Sequence, residues 1–280
     1  MLTSEISITT TQISMSFNET KLSTGSAFFF ESNGKPFLIT NRHNLTGRNQ
    51  NTGKPMHKMG GLPNKLTFSI PTFKQNNNII EFSGNERHVF DMKWDMKKPP
   101  WLEHPTLGTK ADLVALDLQK IWKNSPSPPF FVNTLPSRQP LSILPASVVS
   151  VVGYPFGTSV NEHYPIWITG SVASEPNFDA EEKPAFYIDC RTNKGASGSP
   201  VFIITNSGTA PVDREVSGKE VSMALRLGNS HSAAFYIPVH RFLGIYSGRI
   251  NSSSDIGLVW REAAIKLICE SGQPASSLEE

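Results

Sequence analysis

The sequence has little cysteine, little net charge and no long apolar run. Its two cysteines, Cys190 and Cys269, cannot staple a disulfide framework, which agrees with a reducing compartment. A net charge of +2 gives no electrostatic case for nucleic acid or an anionic membrane as a main partner. No apolar stretch approaches the roughly 20 residues of a membrane-spanning helix. The segment from Met1 to Thr20 alternates polar and apolar residues and lacks a basic stretch followed by an apolar core, so it does not read as a secretory leader. If Met1 is the native start, a cytoplasmic protein is expected. A chain trimmed of its leader would look the same and be secreted. His57, His88, His104, His163, His231 and His240 are scattered, with no two at ligand spacing. Neither a metal nor another cofactor is expected.

What is present favours a β protein. Hydrophobic residues make up 38% and charged residues 18%, enough apolar material for one generous globular domain or two small lobes. Gly 20 and Pro 21 indicate a turn-rich chain rather than a helical one. Gly25 to Phe30 reads as a strand, Asn33-Gly34 as a hairpin turn and Phe37 to Thr40 as the returning strand. Gly47 to Lys65 is an exposed loop. Leu66–Ile70, Ile79–Phe82 and His88–Phe90 are strand-like, and Lys97 to Pro100 breaks regular structure. The segment from Asn124 to Pro145 serves as a crossover between lobes. Val148 to Pro155 is a buried strand ending in a turn. Gly170, inside the strand Ile166 to Ala173, marks a bulge. Asn206 to Ser232 reads as a long surface insertion with strand content around Val216 to Leu227. Ala264, Ile265, Leu267 and Ile268 share one face of an amphipathic helix over Arg261 to Glu270. The tail from Ser271 to Glu280 is expected to be disordered.

Three segments carry chemistry. Asn193-Lys194-Gly195-Ala196-Ser197-Gly198-Ser199 places a serine on a glycine-flanked turn before an apolar run. Such a turn can aim the Gly195 and Ser197 amides at one point, which is what an oxyanion needs. A serine hydroxyl needs a base and an acid that orients the base. His43 follows the strand Phe37 to Thr40, where a bland strand-end histidine is the alternative. Asp112 opens the apolar run Ala111 to Leu118, either as a paired charge or as a cap on a loop amide. Asp117 falls on the opposite face and is expected in solvent.

The order His43, Asp112, Ser197, each beside an apolar β run, resembles the trypsin-like (chymotrypsin-fold) serine peptidases. The serine loop is most similar to the bacterial branch of glutamyl endopeptidases and PDZ-bearing quality-control proteases. The resemblance implies an all-β fold of two six-stranded antiparallel β-barrels with a short C-terminal helix. It places His43 and Asp112 in a lobe of residues 1–135, Ser197 in a lobe of residues 136–270, and a tail over 271–280. It implies a serine endopeptidase acting through a Ser-His-Asp triad and an acyl-enzyme, on a polypeptide bound in extended form against Phe242 to Arg249. Arg191, Thr192, Lys194, Tyr246, Ser247 and Gly248 are then the substrate-binding residues.

Thr192 matches a threonine that glutamyl endopeptidases use, but Tyr246 stands where they use histidine, which leaves an acidic preference open. Arg191 either supplies positive charge or points to solvent. Ala196 replaces the aspartate that pairs with a newly cut N-terminus in the digestive branch, so that activation route is closed. Restraint by narrow specificity, by the 47–65 loop, by the 206–232 insertion or by a regulatory partner is expected instead. The alternative function is an inactive protease-like peptide-binding module. An α/β-hydrolase esterase has a different motif spacing and triad order.

Overall fold

The computed structural model describes residues 4–76, 79–122, 130–135, 141–205, 209–211, 224–226, 233–236, 239–251 and 253–279. The chain is mostly β. After a one-turn helix, α1 (Glu5–Ile8), come β1 (Thr10–Phe17), β2 (Thr20–Ser32) and β3 (Lys35–Thr40). Within β2, Gly25 to Phe30 is buried on both faces, so the run is continuously apolar or small rather than alternating. Asn33 and Gly34 take φ of 52° and 73°, the conformation of a tight primed turn, and β2 returns directly as β3. The short helix α2 (Arg42–Thr46) follows and stops at Gly47, whose φ is 65°.

β4 (Lys65–Asn76) and β5 (Ile79–Lys93) form a long hairpin, followed by β6 (Trp101–Glu103), β7 (Val114–Asp117) and α3 (Gln119–Trp122). The second lobe contains β8 (Val148–Gly153), β9 (Ile166–Val172), β10 (Ala185–Asp189) and β11 (Pro200–Thr205). Three short strands, β12 (Thr209–Pro211), β13 (Ala224–Arg226) and β14 (Ala233–Tyr236), make a separate small sheet. β15 (Val239–Arg249), β16 (Ile256–Arg261), α4 (Glu262–Ser271) and β17 (Gln273–Pro274) complete the chain. The strand content expected at 216–227 reduces, among described residues, to β13; the rest of that stretch lies outside them. Residues 123–129 and 136–140 of the crossover also lie outside them.

The two lobes close differently. β10-β16-β15-β11-β8-β9 is a closed six-stranded barrel. The first lobe is an eight-stranded sheet in the order β17-β6-β7-β3-β2-β1-β4-β5. Its extra strand is supplied by the tail. Gln273 and Pro274 pair with Glu103 and Leu102, the Leu278 amide donates to the Met96 carbonyl, and the Leu278 side chain packs into the first lobe's core. The polar tail expected to be disordered is therefore docked through residue 279. Pro274 fits because an edge strand tolerates a missing N–H.

Gly170 is likewise not a bulge, since β8 and β9 stay in register through Val149↔Gly170. It is a close approach: a Cβ there would sit 2.3 Å from the Asp189 carbonyl oxygen. In α4, Ala264, Ile265 and Ile268 are buried as expected, but Leu267 is half-exposed. Those three residues join Phe28, Phe30, Ile39, Phe202, Phe242 and Trp260 in a core shared by both lobes.

Candidate active site

His43 is fixed from two directions. The end of β3 delivers it onto the first turn of α2, and Arg42 beside it holds Glu103 of β6 in a buried ion pair of 2.8 Å. Asp112, just ahead of β7, accepts from the His43 backbone N–H at 3.0 Å through Oδ1 and lies 2.7 Å from His43 Nδ1 through Oδ2. Burial disfavours the charged imidazole, yet the charge of Asp112 and its hydrogen bond outweigh that, and the His43 pKa is raised above its ordinary value. The Asp112 backbone is tied down too, since Asn41 Nδ2 donates to its carbonyl at 2.6 Å. Asp117 is exposed, on the other side of the strand, where it caps the Gln119 amide.

Ser197 sits on a loop between β10 and β11. Gly195 and Gly198 both have φ of 92°, a left-handed geometry that penalises any Cβ. Space alone would exclude one: a Cβ on Gly198 would lie 1.9 Å from the Ser26 carbonyl oxygen. The Ala196, Gly198 and Ser199 amides donate to Asn193, Tyr246 and Ala196. Those of Gly195 and Ser197 donate to no described group. Ala196 is fully buried in the barrel core, where a carboxylate would have no apolar welcome. Ser197, Gly195, Lys194 and His43 line one cavity, and a Cβ on Gly248 would approach only Ser197 Oγ, at 3.6 Å. The described contacts contain no direct Ser197–His43 hydrogen bond, a contact that is often long before substrate binds.

The substrate-side residues divide. Ser247 turns inward and donates to Asp112 Oδ2 at 2.5 Å, so it braces the acid. Thr192 and Tyr246 are 2% and 1% exposed, and their hydroxyls are bonded to each other. Burial pushes the Tyr246 hydroxyl up to about 12, so it stays protonated at physiological pH. Lys194 is exposed at the cavity mouth; Arg191 is exposed and lines neither cavity beside the site.

Two residues that the sequence did not single out hold the serine loop. The Ser26 N–H donates to the Ser197 carbonyl at 3.0 Å and Ser26 Oγ to the Gly195 carbonyl at 2.7 Å. Asn44 Nδ2 donates to the Ser197 carbonyl at 3.2 Å. A small polar pair inside the phenylalanine-rich β2, and an asparagine one turn from Asn41, were the available signals.

The family model of the trypsin-like peptidase domain matches residues 25–208. No curated protein matches the chain. Among solved structures, the active form of an M. tuberculosis protease is 12% identical, with 98% of this chain and 85% of that chain covered and a TM-score of 0.46. A thermostable serine protease from an extremophilic microorganism is 14% identical, with 99% and 100% covered and a TM-score of 0.46. The serine endoprotease from Yersinia pestis is 13% identical, with 97% and 69% covered and a TM-score of 0.47.

Proposed function

The chain belongs to the family of trypsin-like peptidase domains, and from that premise we propose that it is a serine endopeptidase using Ser197, His43 and Asp112. The observation that carries the reading is the two-point hold of Asp112 on His43, through the backbone N–H and Nδ1, with Ser197 facing the same cavity. Held this way, the imidazole keeps its proton on Nδ1 and leaves Nε2 to accept one. Ser197 Oγ attacks the scissile carbonyl and gives its proton to His43 Nε2. The Gly195 and Ser197 amides receive the oxyanion. His43 then protonates the leaving amine, and water hydrolyses the acyl-enzyme by the same route.

Within the family, the reading is a member near the bacterial glutamyl-endopeptidase branch, supported by Thr192 and the serine loop. Tyr246 stands where that branch has an imidazole, but its ring is buried in the barrel core and its hydroxyl is hydrogen-bonded to Thr192, so neither residue offers a free polar group to an acidic side chain. A strong preference for an acidic residue on the acyl side is therefore not expected.

A fluorophosphonate probe tests the mechanism. The native protein is expected to be labelled and Ser197→Ala not. An unlabelled native protein would mean a binding module without chemistry, and equal labelling of the two would mean a different nucleophile.

A further inference from the structure

The catalytic residues divide the surface into two sides. On one side, a cavity of about 400 Å³ runs along Ser247, Gly248 and Arg249 of β15 to Trp260. A peptide pairing with β15 places its acyl half there. On the other side lies a larger cavity, of about 530 Å³, which no residue of β15 touches. It contains Ser197, His43 and Gly195, so a chain leaving Ser197 away from β15 enters it. Whatever fills it follows the scissile bond.

Its walls specify the occupant. Leu22, Met56, Pro63 and Phe156 supply apolar surface. Met56 and Phe156 are 56% and 70% exposed, a costly arrangement for large apolar side chains gathered around one concavity. They are nevertheless held in place by the backbone. The Met56 amide donates to the Gly47 carbonyl at 2.8 Å, and the Phe156 amide donates to the Lys194 carbonyl at 2.6 Å. Lys58 and Lys194 add two cations, and no acidic residue lines the cavity. Neither lysine has an ion-pair partner among the described residues.

Resting on the reading of Ser197 as nucleophile, we propose that substrate selection lies on the leaving-group side. The cavity takes a large apolar residue directly after the scissile bond and a carboxylate within the next residue, met by Lys58 and Lys194. The 47–65 loop, which carries Met56 and Lys58, is then a specificity element. The carboxylate can come from an acidic side chain or from a peptide's C-terminus.

Acyl transfer isolates this side. An acyl-enzyme made from an activated ester partitions between water and an added dipeptide. The dipeptide's amine attacks the acyl carbonyl, forms the new amide bond and expels Ser197 Oγ, which recovers a proton through His43. The nucleophiles are Leu-Asp-amide, Leu-Gly with a free carboxylate, Leu-Gly-amide and Gly-Gly-amide. Leu-Gly-amide is expected to be captured at least about tenfold better than Gly-Gly-amide, the scale of discrimination an apolar pocket provides. One of the two carboxylate nucleophiles is expected to exceed Leu-Gly-amide several-fold, and which one does so identifies the source. Met56→Asp should erase the preference for leucine, and Lys58→Glu the preference for carboxylate. A burst of ester alcohol with equal capture of all four overturns this inference alone. No burst and no phosphonate labelling overturns it together with the reading it rests on.

Discussion

Asp112 accepts three hydrogen bonds at its carboxylate, from the His43 backbone N–H, His43 Nδ1–H and the Ser247 hydroxyl. It is 5% exposed, so these bonds replace the water it has lost. Because Asp112 raises the His43 pKa above its ordinary value, the proposed base becomes neutral at a higher pH than a free histidine does. Acylation of the native protein is therefore expected to rise with pH through one ionisation at that raised value. Asp112→Asn removes the charge that raised it, leaves burial unopposed and shifts the midpoint downward. Its rate at the plateau should fall about 10⁴-fold, because the amide favours the wrong tautomer. Acylation by an activated ester, followed from about pH 5 to pH 9, checks both. An unmoved midpoint would mean that Asp112 does not set the base. Ser26→Ala is a second residue-scale case. It strands the Gly195 carbonyl and the Tyr154 amide, both of which Ser26 Oγ satisfies. A loss of about 1–3 kcal/mol in denaturant unfolding is expected, with slower phosphonate labelling as the oxyanion loop loosens. His43, Asp112 and Ser197 could be nominated from the sequence because each sits in a local motif beside an apolar run, and the structure brings His43 and Asp112 into contact and His43 and Ser197 to one cavity. Ser26 and Asn44 could not, because their partners lie far along the chain and no local pattern marks a long-range bond.

At the scale of elements, strand and turn positions were legible wherever local signals agreed. Asn33-Gly34 set the β2–β3 hairpin, and Gly47 ended α2. The extra strand of the first sheet was not legible, since it depends on which edge finds a partner. The first sheet recruits β17 from the end of the chain, and the polar composition around Pro274 hides the two contacts that matter, a short ladder and Leu278. The recruited strand covers β6, whose Glu103 pairs with Arg42 next to His43. Truncation after Gly272 is expected to lower the denaturant midpoint by baring the β6 edge and the pocket that Leu278 fills. The per-molecule labelling rate at Ser197 should persist, because Arg42–Glu103 and Asp112–His43 remain. Loss of labelling in the still-folded truncated protein would show that the tail positions α2 rather than merely stabilising the sheet.

At the scale of the molecule, the site exists only when the lobes are docked. His43 and Asp112, the proposed base and acid, come from the first lobe and the serine loop from the second. The bonds that hold that loop, from Ser26 and Asn44, cross the boundary between them. The same boundary contains the shared core. Phe242 of β15 packs on Phe28 at 5.4 Å, Phe30 at 6.2 Å and Phe202 at 5.5 Å between ring centroids. A core continuous through both lobes and α4 is expected to couple their unfolding into one transition. Tryptophan fluorescence reads both lobes, through Trp94 and Trp101 in the first core and Trp260 in the shared one. Fluorescence and labelling competence at Ser197 should therefore be lost at the same denaturant concentration. Phe242→Ala, at a 5% exposed position, is expected to cost about 3–5 kcal/mol and to move both curves together. If labelling fell away well before the fluorescence transition, the lobes would be separating while each stayed folded. The shared phenylalanine cluster would then be a docking surface between two independently stable units rather than the centre of one cooperative core.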